Sequence, residues 1–393
     1  MGLRFHLMPG PWRAEVGGRS AWAEALDRLG REPWSGGPSI DSVRKSLPVS
    51  KGATVVNDHL RTFTARRQSW FGLKLPVKTA LAQPALHPLL RTIAPRVRGL
   101  RIGRLPAPIE LTEIRGRAGG ADFILVEPFR CEIAKEFYWG KGRRTEPEDA
   151  FALDLMVALS ADADVFLDIG AYTGVFTMAV LAANENVRAH VFEIIPAVVA
   201  GVEKNLDRNG FNCRATVHPT GVGSPDTWMK VPIGDGGSAL PSFYSSDMHF
   251  DSDAEVRFTY LDALLPEVLA GESGRRDAQP QAGEDDIPAG SDRSERPRVT
   301  VTIDVEGGEN DVFAHGQEFL AAVHPDILCE VLEDRAEPRE LMGHLGEHGY
   351  HYYLVGEDRL YAKTTIRPDA HLRDWLFTLK SPDEMRAAGY PVD

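Results

Sequence analysis

The 393-residue sequence has little cysteine: Cys131, Cys213 and Cys329, odd in number and far apart. That excludes a disulfide framework or a spaced zinc knuckle and makes a reducing, cytoplasmic setting the expectation. The chain also lacks an apolar run of the ~20 residues that a membrane-crossing helix needs. Residues 1–13 lack the apolar core of a secretory signal. Excess positive charge is missing as well. With 44 Lys and Arg against 57 Asp and Glu, the net charge is -13, which argues against nucleic acid as the main partner. What remains is an ordinary globular composition, 43% hydrophobic and 26% charged, long enough for one large domain and an extension.

A second absence is local. Residues 59–109 contain no Asp or Glu but ten Lys and Arg. Interleaved with Trp70, Phe71, Leu86, Leu89 and Leu90, these charges suit a basic amphipathic surface for anionic lipid or an acidic glycan. They suit better a helical cap that packs its leucines on the main domain and pairs its arginines with that domain's acids. Pro76, Pro84, Pro88 and Pro95 break any long helix there. The organisation expected is a segment 1–57 with a short helix near 21–29, a basic helical extension over 58–115, and a main domain over 116–393. Within that domain, residues 271–297 hold seven acids and almost nothing apolar, which predicts a disordered acidic loop.

The most informative stretch is 165–177. Val165-Phe166-Leu167-Asp168 is a buried-strand run, Gly170 and Gly174 punctuate a tight turn, and an apolar helix follows. Strand, tight loop and helix form the entry to a nucleotide-type pocket in a doubly wound sheet. A dinucleotide fingerprint requires glycine at 168, 170 and 173, where a pyrophosphate approaches the backbone. The chain has Asp168, Gly170 and Thr173. A carboxylate at that strand end suits a cation, such as the amino group of a methionine moiety, with Gly170, Ala171, Tyr172 and Gly174 supplying close backbone. The next strand-like run ends in Glu193, placed to accept the hydroxyls of an adenosine ribose. Gly221 follows the third strand, where the adenine would lie, and Glu146, at the acidic start of a helix over 150–159, borders the pocket mouth. An adenosine ligand with an amino-acid tail and no phosphate is S-adenosylmethionine. The bland alternative is an ordinary parallel α/β turn with an acid at strand two by chance.

A second motif closes a buried strand over 299–305: Asp304-Val305-Glu306-Gly307-Gly308-Glu309. Asp304, Glu306 and Glu309 there are candidates to deprotonate an attacking hydroxyl or to hold a divalent ion that orients it. Alternatively, Glu309 only favours a helix N-terminus while Asp304 ends a strand. The Asn/Asp-Pro-Pro-aromatic turn of enzymes that methylate exocyclic base nitrogens is absent. His344-Leu345-Gly346-Glu347-His348 matches an inverted zinc-protease spacing, but Gly346 weakens the helix and no third ligand is evident, so these are read as packing histidines.

These motifs together resemble the FkbM-type S-adenosylmethionine-dependent methyltransferases. The resemblance rests on Phe166-Leu167-Asp168-Ile169-Gly170-Ala171 with Gly174, on Phe192-Glu193, on Tyr260-Leu261-Asp262 and on Ile303-Asp304-Val305-Glu306-Gly307 with Glu309. It continues through Pro325-Asp326-Ile327-Leu328-Cys329-Glu330-Val331 and Trp375-Leu376-Phe377, covering residues 120–380. It implies O-methylation of a hydroxyl on a sugar, glycan or polyketide-type product. Two departures stand out: Tyr172 replaces a common Asn, and Thr302 a common Lys. The fold implied is α/β, a Rossmann-like class I methyltransferase. Its mostly parallel seven-stranded sheet would carry a C-terminal antiparallel hairpin over 350–363, with the helical basic extension before it. Two rivals are a non-catalytic adaptor that binds a glycan or anionic membrane through 59–109, and a nucleotide-dependent oxidoreductase, which Asp168 and Thr173 disfavour.

Overall fold

A computed structural model of the chain describes residues 77, 79–97, 102–129, 131–232, 253–270, 296–305, 307–333 and 336–393. All belong to one compact unit, Phe71–Asp393. Outside the described residues lie segment 1–57 with its expected helix, the basic stretch up to 76, residues 233–252, acidic residues 271–295 and the candidate Glu306.

The chain enters as short helical pieces: a 3-10 turn Pro84–Leu86, helix α1 (His87–Ile93), and further 3-10 turns Ala94–Arg96 and Ile102–Arg104. Prolines at the helix starts set this fragmentation. Ala94 and Ala107 are buried with Tyr138 and Trp139, and Leu90 packs against them. Arg91 lies over the Tyr138 ring at 5.0 Å, while Leu86, Leu89, Ile93 and Val97 remain exposed.

An antiparallel hairpin follows, β1 (Glu113–Ala118) and β2 (Ala121–Val126), then helices α2 (Glu132–Trp139) and α3 (Pro147–Leu159). Strand β1 runs through residue 116, so no break separates the basic extension from the main domain there. Alternating units come next: β3 (Val165–Ile169), α4 (Val175–Ala183), β4 (Arg188–Phe192), α5 (Pro196–Asn209) and β5 (Ala215–His218). A small sheet of β6 (Gly221–Val222), β7 (Trp228–Pro232) and β8 (Asp253–Thr259) precedes α6 (Leu265–Ala270). The chain then returns through β9 (Val299–Ile303), α7 (Glu309–Ala314), α8 (Gln317–Val323), β10 (Asp326–Glu330) and α9 (Pro338–Gly346). It closes with β11 (His351–Val355), β12 (Leu360–Lys363), β13 (Asp374–Thr378) and α10 (Pro382–Ala387).

The main sheet has the order β12-β11-β13-β10-β9-β3-β4-β5. Strands β5, β4, β3, β9 and β10 are mutually parallel. The sheet is therefore mixed and eight-stranded rather than seven-stranded. Its interior antiparallel member is β13, inserted between β10 and β11, and β11 pairs antiparallel with β12 at the edge. Strands β3 and β9 are buried along their whole length, as expected of parallel strands covered on both faces. Side chains alternate: Phe166 joins the core on one face, Val165, Leu167 and Ile169 that on the other. Asp168 shares the parity of Phe166 and so points towards helix α4.

Candidate functional site

The carboxyl ends of the parallel strands form one rim, as in open α/β sheets generally. Strand β3 ends at Gly170, whose φ is +80°, and a Cβ there would lie 1.8 Å from the Asp304 carbonyl oxygen. Asp304 in turn donates its N–H to the Ile169 carbonyl at 2.9 Å. The two motifs found in the sequence thus abut as backbone, and only glycine permits the approach. The turn continues through Tyr172, at φ 48°, and Gly174, at φ 67°. Its other side is tied to β4: Gly170 and Ala171 donate to the Phe192 carbonyl at 3.0 and 3.1 Å.

Asp168 is buried, and its partners come from both neighbours. Oδ2 accepts from the Thr177 N–H at 3.2 Å and its hydroxyl at 2.5 Å, while Oδ1 accepts from the Thr302 hydroxyl at 2.8 Å. Thr302 stands directly opposite Asp168 in the β3–β9 register. Burial pushes the Asp168 carboxyl upward, against the pull of the two threonines. The carboxylate therefore occupies a first-turn N–H of α4, the place where a phosphate would sit. Its contacts leave about one of four lone-pair sites to a ligand.

Glu193 is similarly placed one strand over. Oε2 accepts from the Tyr172 N–H at 2.9 Å, and Oε1 from the Ile194 and Ile195 N–H groups at 2.7 and 2.8 Å. Burial raises its pKa to about 7 despite these three donors. One acceptor site again remains, by the same count. The Thr173 and Thr145 hydroxyls are buried without a hydrogen-bond partner. Orphaned buried polar atoms of this kind are uncommon unless a ligand or water completes them.

These residues line a cavity of about 1230 Å³, larger than the ~300–1,000 Å³ of a typical single-ligand pocket. Glu146, Asp168, Gly170, Ala171, Tyr172, Glu193 and Gly221 all border it. Glu146 occupies the N-cap position of α3, and Gly221 is glycine because a Cβ would meet the Phe258 ring at 2.6 Å. Gly174 stands behind the loop, where its missing Cβ faces Val202. At the end of β9, Asp304 is exposed at the cavity wall. Glu309 is not on that wall: it is buried and accepts from the Gly307 N–H at 2.8 Å, holding the loop from beneath.

The sequence reading missed the far half of the cavity. Glu330 and Asp374 stand opposite each other in the β10–β13 register, and both line the cavity with Arg144, Asp149 and Arg373. Arg373 pairs with Glu330 at 2.8 Å, and Arg144 bridges Glu136 at 2.6 Å and Asp149 at 2.8 Å. Burial works against the charge of Arg144, yet Asp149 and Glu136 outweigh it and raise its pKa. Burial, then the charges of Glu330 and Asp149, push Asp374 up to about 7. The signal for this half was the strand-end rule. It could not be applied to Asp374 without knowing that β13 runs antiparallel, which puts its first residue, not its last, on the rim.

No protein-family profile matches the sequence, and no curated protein matches it. Solved structures do align. A methyltransferase FkbM from Methylobacillus flagellatus KT matches at 14% identity over 55% of this chain and 44% of that one, with a TM-score of 0.32. The chain thus spans less than half of that protein. TrmK of M. capricolum, in complex with S-adenosyl-homocysteine, aligns at 10% identity over 62% and 70% of the two chains, with a TM-score of 0.30. An O-methyltransferase from Bacillus cereus, in complex with SAH, aligns at 12% identity over 59% and 78%, with a TM-score of 0.27.

Proposed function

We propose that the chain is an S-adenosylmethionine-dependent methyltransferase of FkbM type that methylates a hydroxyl of a sugar, glycan or polyketide-type acceptor. The observation that supports it most is the pair Asp168 and Glu193 on adjacent strand ends. One carboxylate takes the helix N–H that a phosphate would need, and the other stands where a ribose would lie. The donor set fits a phosphate-free adenosine ligand with a cationic tail. Glu193 would accept a ribose hydroxyl on its remaining lone pair, the Thr173 hydroxyl would find its missing partner, and the turn 170–174 would press close to the tail. When bound, S-adenosylmethionine supplies a methyl group activated by its sulfonium.

The remaining work of the protein is positioning and proton removal. The wall of Arg144, Arg373, Glu330 and Asp374 suits an acceptor rich in hydroxyls. Asp374 is the group best matched to a base working near neutral pH, with Asp304 facing the acceptor from the next strand but one. Glu309 acts by positioning the loop. A divalent ion at Asp304 belongs to this proposal as an option for orienting the acceptor. The test is incubation with methyl-labelled S-adenosylmethionine and a panel of hydroxylated acceptors, followed by product analysis. Label on oxygen supports the proposal; label on nitrogen or carbon alone overturns the O-methylation.

One observation favours the adaptor reading: Leu86, Leu89, Ile93 and Val97 are all exposed, on a segment that also carries Arg91 and Arg96. That reading expects salt-sensitive binding to anionic vesicles together with no affinity for S-adenosylmethionine. Among the described residues no helix is long and apolar enough to cross a membrane.

A further inference from the structure

At one end of the main sheet, on β4 and the edge strand β5, two imidazoles and a carboxylate converge. His190 on β4 and His218 on β5 project from the same face, because His190 pairs with Thr216 and Phe192 with His218 in the register. Their rings stack at 5.5 Å between centroids and 22° between planes. His218 also stacks on Phe192 at 4.5 Å and 10°, which fixes its ring. Nδ1 of His190 lies 3.3 Å from Nε2 of His218 and 3.6 Å from Oε1 of Glu267 on helix α6. One ligating atom from each residue lies within 4.8 Å of the others, the single such grouping of three or more His, Cys, Asp or Glu among the described residues.

These separations have a chemical meaning. A tetrahedral zinc ion with Zn–N bonds of ~2.0–2.1 Å holds its two nitrogens roughly 3.3–3.4 Å apart. The imidazole pair already has that spacing, and the Glu267 oxygen lies 3.6 Å from the His190 nitrogen and within 4.8 Å of the His218 nitrogen, so a modest side-chain movement brings all three donors to one ion. Without metal, the same contacts are a ring-to-ring N–H···N hydrogen bond with a longer ion pair from Glu267 to the same nitrogen, and titration with a metal separates the two. Imidazole with carboxylate suits zinc and its first-row neighbours over magnesium or calcium, which prefer all-oxygen shells.

We propose that His190, His218 and Glu267 form a divalent transition-metal site of the zinc class, with three protein ligands and a fourth position open to water. Glu267 is half exposed and gives the ion its entry. The site joins β4, β5 and α6 directly behind Glu193. The His218 carbonyl accepts the Glu193 N–H at 3.2 Å, and the Phe192 carbonyl accepts Gly170 and Ala171. Metal binding here stiffens the wall of the adenosine half without touching the ligand. The inference stands independently of what that cavity binds.

The test uses the full chain without an affinity tag, stripped of metal and titrated with Co²⁺. Tetrahedral Co²⁺ reports itself by intense visible d–d absorption. The expected result is saturation at one equivalent, bleaching by Zn²⁺, and loss of the signal in His190→Ala and His218→Ala. Glu267→Gln, a change at the surface that leaves the core intact, should weaken binding at least tenfold. Removing even an outer-shell partner typically costs ~10–100-fold, and Glu267 is a ligand. No saturable absorption in the unaltered chain overturns the proposal. So does binding of unchanged affinity in Glu267→Gln and His218→Ala, which would put the metal elsewhere.

Discussion

A side chain at Gly170 has nowhere to go: its Cβ would sit 1.8 Å from the Asp304 carbonyl oxygen, on a backbone with φ +80°. Gly170→Ala should therefore destabilise the fold by roughly 3 kcal/mol or more, combining a left-handed penalty with overpacking, as a shifted urea midpoint would show. Glu193 is a subtler case. Glu193→Gln keeps the shape but turns an amide NH₂ towards backbone N–H donors and removes a charged acceptor. Hydrogen bonds to charged groups contribute ~1.5–3 kcal/mol, so affinity for S-adenosylmethionine should fall about 10–100-fold. Asp374 carries the pH dependence. Its pKa is raised to about 7 by burial and by Glu330 and Asp149, so the base form populates only as pH climbs through that value. The profile of kcat/KM should rise to a plateau above about pH 7, and Asp374→Asn should abolish the rising limb along with most turnover. Stability moves the other way. Between the ordinary carboxylate range and about 7 the folded chain keeps a proton that the unfolded chain has released. The stabilisation from this group is full at low pH and is lost as pH rises through about 7.

Helix α5 shows how one element serves two others. Asn205 Oδ1 accepts from the Val126 N–H at 2.8 Å while its Nδ2 donates to the Thr173 carbonyl at 3.0 Å. Asn209 does the same for both backbone groups of Ile124, at 2.8 Å each. The two amides thus satisfy the open edge of β2 and anchor the turn 170–174. Asn205→Ala strands a donor and an acceptor, at about 1–3 kcal/mol for each buried group. Unfolding should become easier by about 2–6 kcal/mol, and cofactor affinity should drop with it as Thr173 loosens. The helix itself was legible, down to Gly210, which closes it in the left-handed region at φ 73°. Strands β3, β4 and β9 were legible as short runs dominated by apolar and β-branched residues. Strand β1 was not, because Glu113-Ile114-Arg115-Gly116-Arg117-Ala118 carries three charges on an exposed hairpin. Asp374-Trp375-Leu376-Phe377-Thr378 announced a strand but not its direction, since alternation reads the same both ways. Without the direction, Asp374 could not be placed on the rim, nor could Thr302 be matched to Asp168 before the β3–β9 register was known.

At the scale of the molecule, the order of motifs anticipated an α/β sheet, and the residues proposed for the cofactor, Asp168, Gly170, Glu193 and Gly221, line one cavity at the strand ends. The far half of the cavity is built from side chains brought together from 144, 149, 330, 373 and 374, a grouping with no local spacing to betray it. The sheet couples these parts, so ligand binding should register globally. A ligand held only by the folded chain stabilises it by about 2.7 kcal/mol at 100-fold over its Kd, and thermal unfolding with S-adenosylhomocysteine should move up accordingly. The most direct test of the central claim is calorimetric titration of the chain with S-adenosylhomocysteine, with NAD as control. The account predicts saturable binding at one site, weakened tenfold or more in Glu193→Gln, and none of NAD. No binding of S-adenosylhomocysteine, or binding of NAD at comparable affinity, would contradict it.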